Sequence, residues 1–320
     1  MRPILFASLA LALLASAAAC GDGAGGGASG TPTATERAAT ATRAPTLSPS
    51  PSLAPTATPV PALDLSLSRP QQGEFVVIRL LSPPPGLNNL IAYFKGAGYP
   101  MVEEGDHWYR VVGLDSQFAT GEYPIEVSSD MAAIAGGVLT VSDGGFEFVS
   151  IELPPSSIAL TQDQDAAARE RATLARVYST FTAEQMWSGP WIVPTQGEVS
   201  NAFGLQRSIN GGPYSPHTGL DIANATGTPV VAAASGRVAL AETLHYYGNV
   251  VVIDHGAGVF SSYNHLDSIA VTAGNAITMG DLLGYMGETG FVNGPHLHWE
   301  AVIAGVRTDP GLWVQADIDP

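Results

Sequence analysis

The hydrophobic and polar positions of this 320-residue chain divide it into parts with different patterns. From about residue 63 to residue 154, short apolar runs alternate with turn sequences rich in Pro, Gly and Asp. The clearest runs are residues 75–78, 108–112, 123–127 and 138–141. Short strands that follow one another between turns are typical of two packed sheets. We therefore predict a small β-sandwich over residues 63–154.

The next part, residues 155–194, is predicted to be a helical connector. Between residues 162 and 181, apolar side chains recur at helical spacing, and acidic residues are concentrated in the first half. The apolar positions are Leu174, Val177, Tyr178 and Phe181. This stripe indicates a helix face that packs against another element.

Residues 195–320 return to a β pattern, with short apolar runs separated by Gly-rich turns. We predict a compact, mostly antiparallel β domain there. The fold class is therefore mostly β, with a small N-terminal sandwich, a connecting helix and a C-terminal antiparallel β domain.

The first 62 residues show neither pattern. Residues 1–20 have an early Arg2, an apolar stretch that is too short for a membrane span, and then small residues, as in an export signal. Residues 21–62 are rich in Gly, Ala, Thr, Ser and Pro and contain almost no large apolar side chain. They cannot bury enough surface to offset the entropy of ordering, so we predict a disordered tether.

Cys20, which directly follows the small residues, is the only cysteine, so no intrachain disulfide can form. It resembles the lipidation cysteine of bacterial lipoproteins, although Ala17 replaces the usual Leu three positions earlier. The alternative is ordinary cleavage after residues 17–19, which leaves Cys20 as a free N-terminal thiol. Both alternatives predict export to the cell envelope, the first with a lipid anchor in the membrane and the second by secretion.

The charge balance narrows the range of partners. The chain has 13 Lys and Arg against 29 Asp and Glu, a net charge of −16, and Lys95 is its single lysine. Nucleic acids and anionic membrane surfaces are bound through basic patches. We therefore exclude nucleic acid as a partner.

Four side chains of the last part suggest a hydrolytic zinc site. His296 and His298 alternate on a predicted strand, so both face the same side. His217 and Asp221 lie upstream, and Pro216 argues against a helix there, so we place the His on a loop and the Asp on the strand that follows. Two imidazoles and one carboxylate are a zinc ligand set of hydrolases. Spacing alone leaves open which histidine of the later pair is the ligand.

A third element adds groups for proton transfer. Tyr263 and His265 end a predicted strand, where alternation would place them on one face. His265 and the remaining histidine of the pair could then act as acid and base. Tyr263 either contacts the substrate or packs in the core. Glu300, on the predicted face of His298, is either a partner that orients this ligand or a solvated strand end.

These motifs, in this order, resemble the signatures of the M23 family, the lysostaphin- and LytM-like zinc endopeptidases of bacterial cell walls. The matching stretches are residues 217–221, 263–266 and 294–298, within a resemblance that covers about residues 195–314. The resemblance implies that residues 195–320 are a metallopeptidase domain with one zinc ion per chain. It implies that His217, Asp221 and His298 bind the zinc and that His265 and His296 are catalytic. The implied substrates are peptidoglycan peptides, either stem peptides or cross-bridges.

Two other functions remain open from the sequence. Some relatives of this fold have lost zinc ligands and regulate cell-wall amidases without catalysis, whereas all five expected positions are filled here. A zinc endopeptidase could also act on other exported Gly-rich proteins. In some relatives an upstream Asn occupies the open zinc position and keeps the enzyme latent, and Asn201 and Asn210 are the candidates for this role.

Overall fold

The computed structural model describes residues 60–130 and 132–315. The predicted export signal, Cys20 and nearly all of the predicted tether lie outside these residues. Within these two ranges, no helix combines the length and the apolar character that a membrane crossing requires.

The N-terminal region of the described chain consists of two four-stranded sheets. Its strands are β1 (Ala62–Leu65), β2 (Phe75–Leu81), β3 (Ile91–Phe94), β4 (Ala97–Pro100), β5 (Val102–Glu104), β6 (His107–Gly113), β7 (Gly121–Ser129) and β8 (Ala132–Val141). The strand orders are β1-β2-β6-β5 and β4-β3-β7-β8. Val76 and Ile78 of β2 share one core with Ile125 and Val127 of β7. The two sheets thus face each other as the predicted β-sandwich.

One more strand, at the end of the predicted sandwich segment, and two helices of the connector follow: β9 (Phe148–Ile151), α1 (Pro155–Leu160) and α2 (Gln164–Tyr178). Asp163 caps α2 by accepting a hydrogen bond from the amide of Ala166 at 2.8 Å. The predicted stripe is buried at Leu174, Val177 and Tyr178. The predicted helix is longer than α2, because Phe181 lies beyond the end of α2. The short helix α1 has no counterpart in the prediction.

The C-terminal region is built mainly on a ten-stranded sheet. Its elements are β10 (Glu198–Asn201), β11 (Gln206–Ile209), β12 (Tyr214–Pro216), β13 (Leu220–Ala223), β14 (Pro229–Val231), β15 (Gly236–Leu244), β16 (Gly248–Gly256), β17 (Val259–Ile269), β18 (Ala276–Ile277), β19 (Leu282–Met286), β20 (His296–Ile303), β21 (Val306–Thr308) and α3 (Pro310–Gln315). The main path runs β10-β13-β20-β17-β16-β15-β18. All strand pairs of this sheet are antiparallel, as predicted.

Strands β11 and β12 form a separate three-stranded sheet with β9. The pairing of β9 with β11 is parallel and places Val149 opposite Arg207 and Ile151 opposite Ile209. A strand from the end of the predicted sandwich segment therefore pairs within the C-terminal region.

The first sheet of the sandwich packs on the C-terminal region with its outer face. Alternation on β2 sends Phe75 and Val77 into the core that also contains Trp313. The rings of Phe75 and Trp313 stack with centroids 4.5 Å apart. A Cβ at Gly113 would lie 2.9 Å from Thr308 Cγ2, so glycine allows β6 to approach β21 closely. The central strands β2 and β6 are therefore buried on both faces.

A buried histidine lies in the C-terminal core. His255 on β16 has no exposed surface, its Nδ1 lies 2.7 Å from the carbonyl oxygen of Ser235, and its Nε2 lies 2.7 Å from Ser261 Oγ. Burial lowers the pKa of His255 to about 4. This imidazole is therefore neutral in the folded protein at neutral pH.

We expect His255 to make the fold acid-sensitive. In the unfolded chain His255 takes up a proton near pH 6.5, whereas in the folded protein it does so only near pH 4. The free energy of unfolding therefore falls as the pH drops from 6.5 to 4. The loss corresponds to about 3 kcal/mol in the free energy of unfolding. Denaturant unfolding of the wild type and His255→Gln from pH 7 to pH 4 measures it. The free energy of unfolding of the wild type, relative to that of His255→Gln, should fall by this amount between pH 7 and pH 4. A difference between the two proteins that stays constant with pH would contradict the prediction.

Candidate metal centre and its cleft

Three predicted ligands come together at the meeting of β13 and β20. His217 lies on the loop after β12, Asp221 lies on β13 and His298 lies on β20. The antiparallel register pairs Asp221 directly with His298. At Gly219, a Cβ would collide with the carbonyl oxygen of Trp299 and lie 2.9 Å from His298 Cε1, so only glycine fits this turn. The sequence between the His and the Asp thus folds the imidazole back onto the strand pair.

The donor atoms of these three residues point at one another. His217 Nε2 lies 2.9 Å from Asp221 Oδ1, and His298 Nδ1 lies 2.7 Å from the same oxygen. The two imidazole nitrogens are 3.0 Å apart, and all three side chains are buried. Facing nitrogen atoms beside a carboxylate need a cation or a proton between them. Two imidazoles and one carboxylate fit zinc with an open fourth position.

The other nitrogen of each ligand imidazole has an acceptor of its own. His217 Nδ1 donates to the carbonyl oxygen of Ala202 at 2.8 Å. His298 Nε2 donates to Glu300 Oε1 at 3.3 Å. These acceptors favour the tautomers in which His217 Nε2 and His298 Nδ1 keep their lone pairs for a metal.

Glu300 is a fully buried carboxylate that orients His298. Its Oε1 accepts hydrogen bonds from Thr218 Oγ1 at 2.7 Å, Tyr247 OH at 3.1 Å and Arg307 Nε at 2.9 Å. Burial raises the pKa of Glu300, but the charge of Arg307 and the hydrogen bonds outweigh it and hold the pKa far below its usual value. The alternative of a solvated strand end is wrong, because Glu300 has no exposed surface.

The surroundings of the ligand set favour a bound cation or proton. Burial raises the pKa of Asp221, yet hydrogen bonds from His217 and His298 keep it well below its ordinary value. Burial lowers the pKa of His298, but Asp221 and Glu300 outweigh it and raise the pKa to about 9. A metal ion entering this set would displace such a proton.

The two remaining histidines lie beside the ligands. The rings of His265 and His296 are 4.9 Å apart, and His296 Nε2 lies 3.7 Å from Asp221 Oδ1. His265 Nδ1 donates to the carbonyl oxygen of Thr289 and His296 Nδ1 to that of Gly294, each at 2.9 Å. Burial lowers the pKa of both imidazoles, so both are neutral at pH 7 and their Nε2 atoms can accept protons.

The backbone at His265 explains why Tyr263 does not share its side. His265 has φ +63° and lies where the pairing of β16 with β17 shifts register, so a β-bulge interrupts the alternation. Tyr263 is fully buried, and its hydroxyl accepts a hydrogen bond from the amide of Ala233 at 2.8 Å. The predicted shared face is therefore wrong. The predicted substrate contact of Tyr263 is also corrected, because the side chain packs in the core.

The two candidate asparagines have different surroundings. Asn201 Nδ2 donates a hydrogen bond to Asp221 Oδ2 at 3.1 Å. The other oxygen of Asp221, Oδ1, faces the ligand nitrogens. Asn210 instead makes hydrogen bonds to the amide and carbonyl of Leu153, at 2.7 Å and 3.2 Å. Of the two, Asn201 reaches the ligand set.

The ligands open into a cleft with two mostly apolar walls. One wall consists of Ile151, Leu153, Arg207 and Ile209, and the other of Tyr246, Tyr247, Phe291 and Val292. Strand β9 and the residues that follow it therefore complete the first wall. Sequence reasoning missed these wall residues, since none belongs to a motif with metal-ligand spacing.

The connector helices hold the second wall in place. Glu170 of α2 accepts hydrogen bonds from the amides of Tyr246 at 2.7 Å and Tyr247 at 3.4 Å. Ser157 of α1 donates to the carbonyl oxygen of Val292 at 2.5 Å. The acidic residues of the predicted helix include Glu170, but no signal in the sequence indicates that Glu170 contacts the amides of Tyr246 and Tyr247.

Comparison with known proteins identifies the C-terminal region. Residues 215–310 match the model of the family described as Peptidase family M23, so this region is an M23 peptidase domain. The chain is 42% identical over 91 residues to the peptidoglycan DD-endopeptidase ShyA of Vibrio cholerae, a match that covers 28% of this chain and 21% of that protein. It is 38% identical over 112 residues to the DD-carboxypeptidase/endopeptidase Mpg of Neisseria meningitidis, over 35% of this chain and 26% of that protein. The matches thus span about a quarter or less of these two relatives.

One solved structure resembles more of the fold. A protein described as a putative peptidase M23 from Pseudomonas aeruginosa shares 26% sequence identity and a TM-score of 0.57. The match covers 77% of this chain and 94% of that one. The likeness therefore extends beyond the peptidase domain.

Proposed function

We propose that this protein is a zinc endopeptidase that hydrolyses peptide bonds of bacterial peptidoglycan. The observation that carries this proposal is the convergence of three ligand atoms of His217, Asp221 and His298 beside a neutral histidine pair in a cleft. The M23 domain and the activities named for the two relatives support the choice of substrate.

The proposed ion would be held by His217 Nε2, Asp221 Oδ1 and His298 Nδ1. A zinc ion bound there acts as a Lewis acid that polarises a carbonyl group and lowers the pKa of a water molecule. Glu300 and the carbonyl of Ala202 keep the ligand rings in the required tautomers. Asn201 holds the second oxygen of Asp221, so that Oδ1 stays turned toward the ligand nitrogens.

His265 and His296 would move the protons of the reaction. Each has Nδ1 fixed on a backbone carbonyl, which leaves Nε2 to take a proton from the attacking water or to donate one to the leaving amine. An imidazolium at either position would also stabilise a developing oxyanion.

Digestion of purified peptidoglycan by the full chain tests this function. We expect cleaved wall peptides from the zinc-loaded protein, loss of cleavage with a chelator, and recovery when zinc is restored. Mass spectrometry of the products shows whether an amide bond was hydrolysed. Zinc-loaded protein that releases no peptide products from intact sacculi or defined muropeptides contradicts the proposal, as does protein with no bound zinc after metal loading.

We propose further that the protein is exported and anchored at the envelope through a lipid on Cys20. The export-signal pattern of residues 1–20 and the predicted tether support this proposal. Fractionation of cells that express the wild type or Cys20→Ser tests it. The wild type should be in the membrane fraction and the variant should leave it, whereas equal release of both proteins favours simple secretion.

A further inference from the structure

Among the described side chains that line the cleft, Arg207 is the one with a permanent positive charge. It lies on β11 in a chain whose net charge is −16. Its Nη1 is 3.9 Å from Asp221 Oδ2, which is too long for a hydrogen bond. Its Nε is buried and has no hydrogen-bond partner among the described residues. The guanidinium group of Arg207 therefore has N–H donors that form no hydrogen bond with the described residues.

The nearby carboxylate cannot fully compensate this cation. Asp221 Oδ1 faces the two ligand nitrogens, and Asp221 Oδ2 accepts the hydrogen bond of Asn201. Burial lowers the pKa of Arg207, because removal from water disfavours its charge. A partly desolvated cation beside a site for another cation is stabilised when an anion enters.

We propose that Arg207 binds a free carboxylate of the substrate, carried by the carbon that bears the nitrogen of the scissile amide. This inference rests on the proposed function and names its substrate class. A guanidinium presents two parallel N–H donors that match a carboxylate.

The position of that carboxylate follows from Asp221. Arg207 Nη1 lies 3.9 Å from one oxygen of Asp221, and His296 Nε2 lies 3.7 Å from the other. Because both nitrogens flank one carboxylate group, an amide nitrogen beside His296 and an anion beside Arg207 can belong to the same residue of the substrate. The anion is therefore next to the scissile bond and not at a distant end of the substrate.

This assignment separates the two kinds of cross-link. A glycyl bridge is a neutral internal chain without a carboxylate beside the scissile nitrogen. A chain-terminal residue has one, and so does a diamino acid that is cross-linked through an amine next to its own carboxyl group. The apolar side chains of Ile151, Leu153 and Ile209 beside Arg207 suit a small aliphatic side chain more than a polar one. Arg207 thus disfavours glycyl bridges and favours a chain-terminal residue or a direct link between stem peptides.

Two pairs of matched substrates test the inference on the zinc-loaded full chain. One pair is a linear peptide that ends in D-alanyl-D-alanine, as the free acid or as the carboxamide. The other pair is a cross-linked muropeptide dimer in which the carboxyl group next to the scissile nitrogen is free or amidated. We expect the acid to exceed the amide in kcat/KM by about 10- to 100-fold in at least one pair, as for a charge-assisted, bidentate contact. A preference in the first pair assigns the carboxylate to a chain end, and in the second to a cross-link.

Arg207→Gln should remove this preference by slowing cleavage of the acid while the amide is cleaved as before. Arg207→Lys should give an intermediate preference, because it keeps the charge without the two parallel donors. Arg237→Gln is the matched control, since Arg237 is an exposed arginine on β15. Bound zinc should be the same in all four proteins, which separates substrate binding from a role of Arg207 in positioning Asp221.

Three results overturn the inference and leave the proposed function intact. They are equal cleavage of acid and amide by the wild type, an equal slowing of both by Arg207→Gln, and loss of zinc in that variant. Failure of the zinc-loaded wild type on all four substrates and on intact sacculi removes the proposed function, and this inference with it.

Discussion

His298→Ala is expected to lose the metal and, with it, all hydrolysis above background. The change removes Nδ1, one of the three atoms that converge on the proposed zinc position, and leaves only His217 and Asp221. Catalytic zinc sites use three protein ligands, so we expect the two that remain to lose the ion on dialysis. Metal analysis of the dialysed protein should therefore give about one zinc per chain for the wild type and almost none for the variant.

The same variant has a readout that does not depend on activity. Because zinc binds the folded state, added zinc should raise the unfolding temperature of the wild type and leave that of His298→Ala unchanged. His107→Ala, a substitution on β6 of the sandwich, is the matched control and should behave as the wild type does. Zinc retained by His298→Ala at the wild-type level would show that His298 is not a ligand.

His296→Ala is expected to give the opposite combination, with normal zinc content and severely reduced turnover. His296 Nε2 lies beside the ligand set but is not one of its three converging atoms, so its removal leaves the metal position intact. General acid–base groups contribute about 10²- to 10⁴-fold to rates, and we expect kcat to fall by that factor. The measurement is kcat on a defined muropeptide together with the zinc content of the same preparation.

His265→Ala should resemble His296→Ala, because the two imidazoles lie side by side and have equivalent backbone contacts. This pair of variants also addresses the non-catalytic alternative. If His296→Ala has lost turnover in vitro yet keeps the full effect of the protein on cell walls, regulation of other enzymes is favoured over hydrolysis.

The strands and the grouping of the proposed metal ligands could be predicted because their signals are local. Alternation marked the strands that are half-buried, and the short spacing from His217 to Asp221 fixed one half of the ligand set. The resemblance to a known family was needed to choose between His296 and His298, since alternation places both on one side. The register of β13 against β20 then supplies the pairing of Asp221 with His298.

The parts that could not be predicted depend on contacts between distant segments. The bulge at His265 occurs at a non-glycine residue with positive φ, a conformation that no local sequence pattern indicated. The contact of Glu170 with the amides of Tyr246 and Tyr247 joins residues 76 and 77 positions apart. The helix α1 is six residues long, too short for an apolar repeat to show.

The parallel pairing of β9 with β11 has a consequence for the modularity of the chain. A fragment cut at residue 195 would contain every proposed metal ligand and both proposed catalytic histidines, but it would lack Ile151, Leu153 and the helices that support the second wall. The smallest piece that recombination could transfer with a complete cleft therefore begins at Phe148 and not at the border of the peptidase domain. The N-terminal boundary of the piece that contains the complete cleft is therefore set by β9, a strand that contains none of the proposed catalytic residues.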